Sequence, residues 1–100
     1  MWKERLIVRG FGLNSCGSFV EAQRSDKMAS LMYGNWLAGY LTAINRTTPG
    51  IYDIVNKVDH SGLMQWIENY CNQNPLKSFS DAVETLVIEL YPKRTTTAPK

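Results

Sequence analysis

Apolar residues recur every three or four positions along most of this chain, which is the spacing of one face of an α-helix. The pattern predicts four main helices, over residues 15–24, 27–45, 61–74 and 78–91. The apolar stripe of the last one consists of Phe79, Ala82, Val83, Leu86, Val87 and Leu90. The second helix has the widest stripe: Met28, Leu31, Met32, Trp36, Tyr40 and Ala43, with Leu37, Leu41 and Ile44 beside them. A stripe of this width predicts a central, mostly buried helix.

Polar residues and prolines mark the ends of these helices. Ser15 and Ser78 stand where N-caps are expected, and Asp81 follows Ser78 at the spacing of a capping box. Pro75 and Pro92 follow the last two helices, which they prevent from continuing. The sequence therefore predicts an all-α fold, a small bundle of four main helices.

The segments between and around the helices are less regular. Residues 51–58 fit either a short helix or an extended link, and the spacing of Ile51, Ile54, Val55 and Val58 favours the helix. The expected organisation is a short extended N-terminal arm over residues 1–12, a helical domain over residues 13–91 and a disordered polar tail over residues 92–100.

Composition and charge narrow the class of protein. One hundred residues with 44% hydrophobic and 20% charged side chains are typical of one globular domain. Residues 1–9 carry three basic and one acidic side chain (+2), residues 92–100 carry three basic ones (+3), and the body carries five basic and eight acidic ones (−3). A body without a basic face argues against nucleic-acid binding. No run approaches the ~20 apolar residues of a membrane span.

The two cysteines, Cys16 and Cys71, lie on apolar faces of predicted helices. A zinc site is disfavoured because only His60 is available to join them, whereas structural zinc uses four ligands. Cys16 lies at a helix start, where the helix dipole activates thiols, but it has only His60 as a base. A disulfide is favoured, since closing a loop of about 56 residues removes roughly 4 kcal/mol of unfolded-chain entropy. Two buried free thiols are the remaining alternative. A disulfide would imply an oxidising compartment.

Four features occur together between residues 14 and 91. A cysteine starts the first helix (Cys16 in "NSCGSFVEA"), Gly39-Tyr40 lies in the second, Cys71 ends a later helix and Phe79 leads the last. This pattern resembles the small HdeA-like helical proteins of the bacterial periplasm, and most of all their uncharacterised members. The group includes the acid-stress chaperone HdeA and the immunity proteins of type VI secretion amidase effectors.

The resemblance has consequences for fold, location and partners. It implies an all-helical fold with a Cys16–Cys71 disulfide, a periplasmic or secreted location, and a signal peptide in the precursor. The chain departs from the acid chaperone because its body is not dense in charge. The resemblance also implies a protein partner, either an effector or a client.

Aromatic side chains on the second and third helices are candidates for binding such a partner. Trp and Tyr form core contacts in most folds, but they are also typical binding anchors. The candidate partner-binding residues are Tyr33, Trp36, Tyr40, Asn45 and Trp66.

We expect no catalytic residues, no metal site and no cofactor. Asp59-His60-Ser61 contains the residue types of a catalytic triad, but contiguous residues cannot adopt triad geometry. The expected function is non-enzymatic protein binding, resembling that of immunity proteins, with an HdeA-like acid-stress chaperone as the alternative. A homodimer is compatible with either.

Overall fold

A computed structural model describes residues 7–98 and shows an all-α fold. Four α-helices lie in these residues: α1 (Cys16–Ser25), α2 (Lys27–Thr47), α3 (His60–Gln73) and α4 (Phe79–Leu90). Short 3₁₀-helices precede α1 (Gly10–Leu13) and follow α4 (Tyr91–Lys93). The prediction of four main helices is confirmed, and every helix end lies within two residues of its predicted position.

Each α-helix begins at a side chain that caps it. The N-cap side chains of Ser15, Asp26, Asp59 and Ser78 each accept a hydrogen bond from a backbone N–H in the first turn. Asp81 also accepts from the Ser78 backbone N–H, which completes the predicted capping box. Caps of this kind typically contribute about 1 kcal/mol each, because the first N–H groups of a helix have no partner within it.

The core forms where α1 packs against α2 and α3, and where α3 packs against α4. At its centre three rings meet: Phe19 lies 5.1 Å from Tyr33 and 4.9 Å from Phe79, measured between ring centroids. Tyr33 and Phe79 are also 4.9 Å apart. The predicted stripe of α4 is buried throughout its length, from Phe79 to Leu90.

The orientation of α2 differs from the prediction. Its buried residues are Tyr33, Gly34, Leu37 and Leu41. Met28, Leu31 and Met32, which were expected in the buried stripe, are 69%, 58% and 44% exposed. Because α2 has apolar residues on nearly every side, its own pattern does not select the face that meets the core.

The N-terminal arm is also less extended than predicted. Residues 7–9 have no regular structure, but Gly10–Leu13 forms a 3₁₀-helix against α2 and α4. The indole N–H of Trp36 donates to the backbone carbonyl of Arg9 at 2.7 Å. A Cβ on the buried Gly12 would lie 2.2 Å from the Trp36 ring, so only glycine fits beneath the indole. Residues 1–6 of the predicted arm lie outside the described residues.

The prediction of a helix over residues 51–58 is wrong, because these residues form an irregular link between α2 and α3. The Asn45 carboxamide oxygen accepts from the Ile54 backbone N–H at 2.7 Å, and the Asp53 carboxylate accepts from the Val55 backbone N–H at 3.1 Å. These N–H groups are satisfied by side chains, so the link needs no helical hydrogen bonds of its own.

The same link also forms backbone hydrogen bonds to the first part of the C-terminal tail, which was predicted to be disordered. The Tyr52 backbone N–H donates to the Thr95 carbonyl at 2.8 Å, and the Thr95 N–H donates to the Asp53 carbonyl at 2.9 Å. Residues 92–95 therefore contact the body, contrary to the prediction for this part of the tail. Residues 99–100 lie outside the described residues.

Candidate functional site

The two cysteines form a Cys16–Cys71 disulfide, and both side chains are fully buried. The bond joins the first turn of α1 to the C-terminal end of α3. Backbone hydrogen bonds support the same junction: the Cys16 N–H donates to the Lys77 carbonyl at 2.7 Å and the Gly17 N–H to the Pro75 carbonyl at 3.1 Å. With the sulfurs bonded to each other, neither is available as a nucleophile or a metal ligand.

The titratable groups of the described residues offer little other chemistry. Within residues 7–98 no three His, Cys, Asp or Glu side chains lie close enough together to hold a metal ion. Burial, followed by the Glu84 carboxylate, raises the pKa of the Tyr40 phenol from 10.0 to about 12. Both effects disfavour the phenolate, so they keep Tyr40 neutral under ordinary conditions. Across the same residues, no helix has the length and hydropathy needed to cross a bilayer.

The predicted partner-binding residues do not form one surface. Tyr33 is 2% exposed and packs on Phe11, Phe19 and Phe79, so a partner cannot reach it in this state. Its role is to fill the core.

Trp36 and Tyr40 are neighbours on α2, with ring centroids 5.4 Å apart, and both are half-buried. Trp36 also contacts Phe79 at 5.9 Å and holds residues 9–12 against the helix. Both rings pack on the core with part of their surface still accessible.

Asn45 and Trp66 lie elsewhere. Both functional groups of the Asn45 carboxamide are used inside the chain, since its oxygen accepts from Ile54 and its nitrogen donates to Asp53 at 3.2 Å. Trp66 lies on α3 and stacks on Tyr70, with ring planes 12° apart and centroids 5.9 Å apart. Asn45 therefore organises the link, while Trp66 lies half-buried on α3, a different helix from the one that carries Trp36.

The sequence prediction missed an apolar groove between the C-terminal ends of α2 and α4. The groove has a volume of about 380 Å³. It is lined by Ile44, Thr48, Ile51, Val87, Ile88, Tyr91 and Pro92. We call it the α2–α4 groove.

Three of the residues that line the α2–α4 groove are exposed: Ile88, Tyr91 and Pro92. Ile88 is 58% exposed and Tyr91 is 43% exposed. The guanidinium of Arg94 lies 3.9 Å above the Tyr91 ring and donates to the Tyr91 and Gly50 carbonyls. These contacts fix Tyr91 in place at the groove. A signal for this site exists in the sequence, because Ile88 lies outside the apolar stripe of α4 and has no core partner to explain it.

A second, more polar depression of about 500 Å³ lies between the first 3₁₀-helix, α1 and the start of α2. Its polar lining includes Ser18, Ser25 and Asp26. The Asp26 carboxylate already accepts from the Ala29 N–H, and the Ser25 hydroxyl donates to the Glu21 carbonyl. Because these groups have partners within the chain, the depression is a weaker candidate than the α2–α4 groove.

Comparisons with models of protein families, with curated proteins and with solved structures found no match for this chain. The resemblance to HdeA-like proteins therefore depends on the sequence pattern alone.

Proposed function

We propose that this protein binds another protein in an oxidising compartment and acts by covering part of its partner's surface, as an immunity-type inhibitor of a secreted effector does. The observation that carries the proposal is the α2–α4 groove. Preformed apolar clefts are typical binding sites, and large accessible side chains at their edge typically anchor a partner. The groove offers hydroxyl groups only from Thr48 and Tyr91, so its chemistry suits binding better than catalysis.

The charges near the groove indicate the kind of partner. Lys93 and Arg94 directly follow the groove residues Tyr91 and Pro92, whereas Glu89 is the exposed acidic residue in the last turn of α4. Basic groups around an apolar cleft favour an apolar side chain flanked by acidic residues, because complementary charge speeds association and fixes orientation. A secreted effector with an acidic surface around an apolar loop meets these requirements.

The disulfide supports the proposed location. Bonds of this kind persist in the periplasm and outside the cell, whereas cytosolic thiols are kept reduced. A fully buried bond between the first and third helices is structural, since it is inaccessible to exchange in the folded state.

The test uses two matched variants and, as candidate partners, the secreted proteins encoded in the neighbourhood of this protein's gene. Ile88→Asp places a charge in the groove, and Leu76→Asp places the same charge at a side chain that is 97% exposed and lies outside it. We expect the wild type and Leu76→Asp to bind the effector and protect cells that produce it. We expect Ile88→Asp to bind at least about tenfold more weakly, a loss of about 1.4 kcal/mol.

Two results would contradict the proposal: no binding by the wild type, or equal binding by Ile88→Asp with an unchanged circular dichroism spectrum. Acid treatment distinguishes an immunity-type binder from the alternative, a stress chaperone. Such a chaperone would lose its near-ultraviolet circular dichroism at about pH 3 and then suppress the aggregation of a client protein. An immunity-type binder would keep its fold and suppress no aggregation.

A further inference from the structure

Arg94 is held beside the α2–α4 groove in one orientation. Its guanidinium lies 3.9 Å from the centroid of the ring of Tyr91, which is one of the residues that line the groove. Its Nε–H donates to the Gly50 carbonyl at 3.3 Å, and its Nη1–H donates to the Tyr91 carbonyl at 2.9 Å. The next residue, Thr95, is fixed in turn by backbone hydrogen bonds with Asp53. The guanidinium is therefore pre-organised, and it loses little conformational entropy when it binds a further group.

These contacts use only part of the hydrogen-bonding capacity of Arg94. A guanidinium has five N–H donors, and the two carbonyls occupy one donor each. Neither hydrogen bond involves Nη2, and among residues 7–98 the partners of Arg94 are carbonyl oxygens and a ring rather than a carboxylate. The side chain is half-buried, so its remaining donors lie at the surface with reduced access to water. An arginine in this state is suited to a bidentate pair with a carboxylate.

The charges next to Arg94 along the chain do not offer the same geometry. Lys93 is exposed, and its ammonium on a flexible stem acts as a point charge that does not fix the orientation of a carboxylate. Glu89, four positions before Lys93, is also exposed and carries the opposite charge. These two charges offset each other at long range, whereas the guanidinium of Arg94 acts at hydrogen-bond range.

The position of Arg94 relative to the groove defines the spacing within the ligand. Arg94 does not itself line the groove, whereas the Tyr91 ring beneath its guanidinium does. A carboxylate bound at hydrogen-bond length lies about 4 Å from the guanidinium carbon, and therefore within about 8 Å of the centroid of the Tyr91 ring. An acidic side chain a few residues from an apolar one meets this spacing. A chain-terminal carboxylate meets it less well, because it is attached to the same residue as the apolar side chain.

The groove and Arg94 make different contributions to binding. The groove walls are mostly apolar, and burial of apolar surface stabilises a complex without imposing a direction. A bidentate pair between a guanidinium and a carboxylate does impose one, because both partners are planar and two parallel hydrogen bonds join them. The groove therefore supplies affinity, and Arg94 selects among the apolar segments that could enter it.

We infer that Arg94 is the carboxylate-binding residue of the α2–α4 groove: it pairs with an acidic side chain of the partner while a neighbouring apolar side chain of the same loop enters the groove. The inference rests on the proposed function for the nature of the ligand, a loop of another protein. It adds the residue that selects this loop and the chemical group that is selected.

The test replaces the partner by two small probes, 5-phenylpentanoate and its neutral amide, 5-phenylpentanamide. The probes share an apolar ring and a chain of the same length, and they differ in charge. Binding is followed in ¹H–¹⁵N spectra, where the backbone amide signals of Thr48, Ile88 and Tyr91 report on the groove. Ligands of this size typically bind with a Kd of about 1 mM. We expect the carboxylate to bind the wild type at least about fivefold more tightly than the amide.

Two matched variants each remove one positive charge. Arg94→Gln should bring the affinities of the two probes to within about twofold of each other, whereas Lys93→Gln should keep the preference for the carboxylate. Arg94→Lys keeps the charge but loses the planar fork, so it should lose most of the preference. The measured quantity is the ratio of the two affinities. A groove that is merely loosened by the substitution would weaken both probes alike and leave this ratio unchanged.

Equal affinities of the wild type for the two probes, or a preference that survives in Arg94→Gln, would overturn the inference. Neither result touches the proposed function, because an apolar loop can bind the groove without a carboxylate. Conversely, the proposed function fails alone if no candidate partner binds while the probes show the expected preference. Absence of binding by both probes at about 10 mM, well above the expected Kd, would overturn the inference together with the groove as a binding site.

Discussion

Loss of the Cys16–Cys71 disulfide should remove a large share of the stability of this protein. The two cysteines are separated by 55 positions, so the bond closes a loop that covers more than half of the chain. In the chain-entropy description, opening a loop of that size stabilises the unfolded state by about 4 kcal/mol at 25 °C. Domains of this size have a total free energy of unfolding of about 5–15 kcal/mol. Reduction should therefore leave the domain folded but marginal.

The measurement is urea unfolding followed by tryptophan fluorescence, with and without reductant. A urea dependence of about 1–3 kcal/mol per molar converts the loss into a fall of roughly 1–4 M in the unfolding midpoint. Because both sulfurs are fully buried, the bond should be reduced slowly in the native protein and quickly in urea. The reduced chain must therefore be prepared unfolded and then refolded in reductant.

The double variant Cys16→Ala with Cys71→Ala serves as the control, since its midpoint should not respond to reductant. Its midpoint should lie below that of the reduced wild type, because alanine also leaves buried space where each sulfur was. A midpoint that changes by less than about 0.5 M, in a sample whose mass shows two free thiols, would refute the loop-entropy reasoning.

Three smaller perturbations test other parts of the structure. Asn45→Ala should cost about 1–3 kcal/mol of unfolding free energy by leaving the Ile54 N–H without its acceptor; Asn45→Asp should not rescue this loss at neutral pH, because its second carboxylate oxygen would face the Asp53 carboxylate where the Asn45 nitrogen now donates at 3.2 Å, and urea unfolding of both variants checks this. Gly12→Ala should displace the Trp36 indole, visible as a red-shifted tryptophan emission, and an unshifted spectrum would contradict the close packing. Tyr40, with a folded-state pKa of about 12 against 10.0, should stabilise the fold fully below pH 10 and lose that contribution as the pH rises through 12. In an ultraviolet titration Tyr40→Phe should therefore remove a tyrosine step near pH 12, and removal of a step near pH 10 would contradict this.

The sequence alone determined the helices and their boundaries. Ser15, Ser78 and Asp81 act on backbone groups only three residues away, so local spacing was enough to place the caps correctly. The stripe of α4 has a single apolar side, and a single side leaves one orientation toward the core. The cysteines were found on buried faces for the same reason, although the residues themselves left the bond as one of several alternatives.

The candidate binding residues were harder to judge because an aromatic side chain looks the same in a core and at an interface. Tyr33 fills the core. Trp36 holds the first 3₁₀-helix in place, a role that could not be inferred without knowing that Gly12 lies beneath its indole ring. The α2–α4 groove combines Ile44 with Ile88, which are 44 positions apart in the sequence, so no local pattern joins them.

Only the tertiary structure decided which side of α2 is buried and what residues 51–58 form. A helix with apolar residues all round has several equivalent orientations, and packing against α1 and the first 3₁₀-helix selects the one that exposes Met28 and Leu31. The spacing of residues 51–58 allowed a helix, but Asn45 and Thr95 supply hydrogen bonds from distant parts of the chain. Sequence periodicity reports bonds and contacts within one turn of helix, whereas these outcomes depend on groups that folding alone brings together.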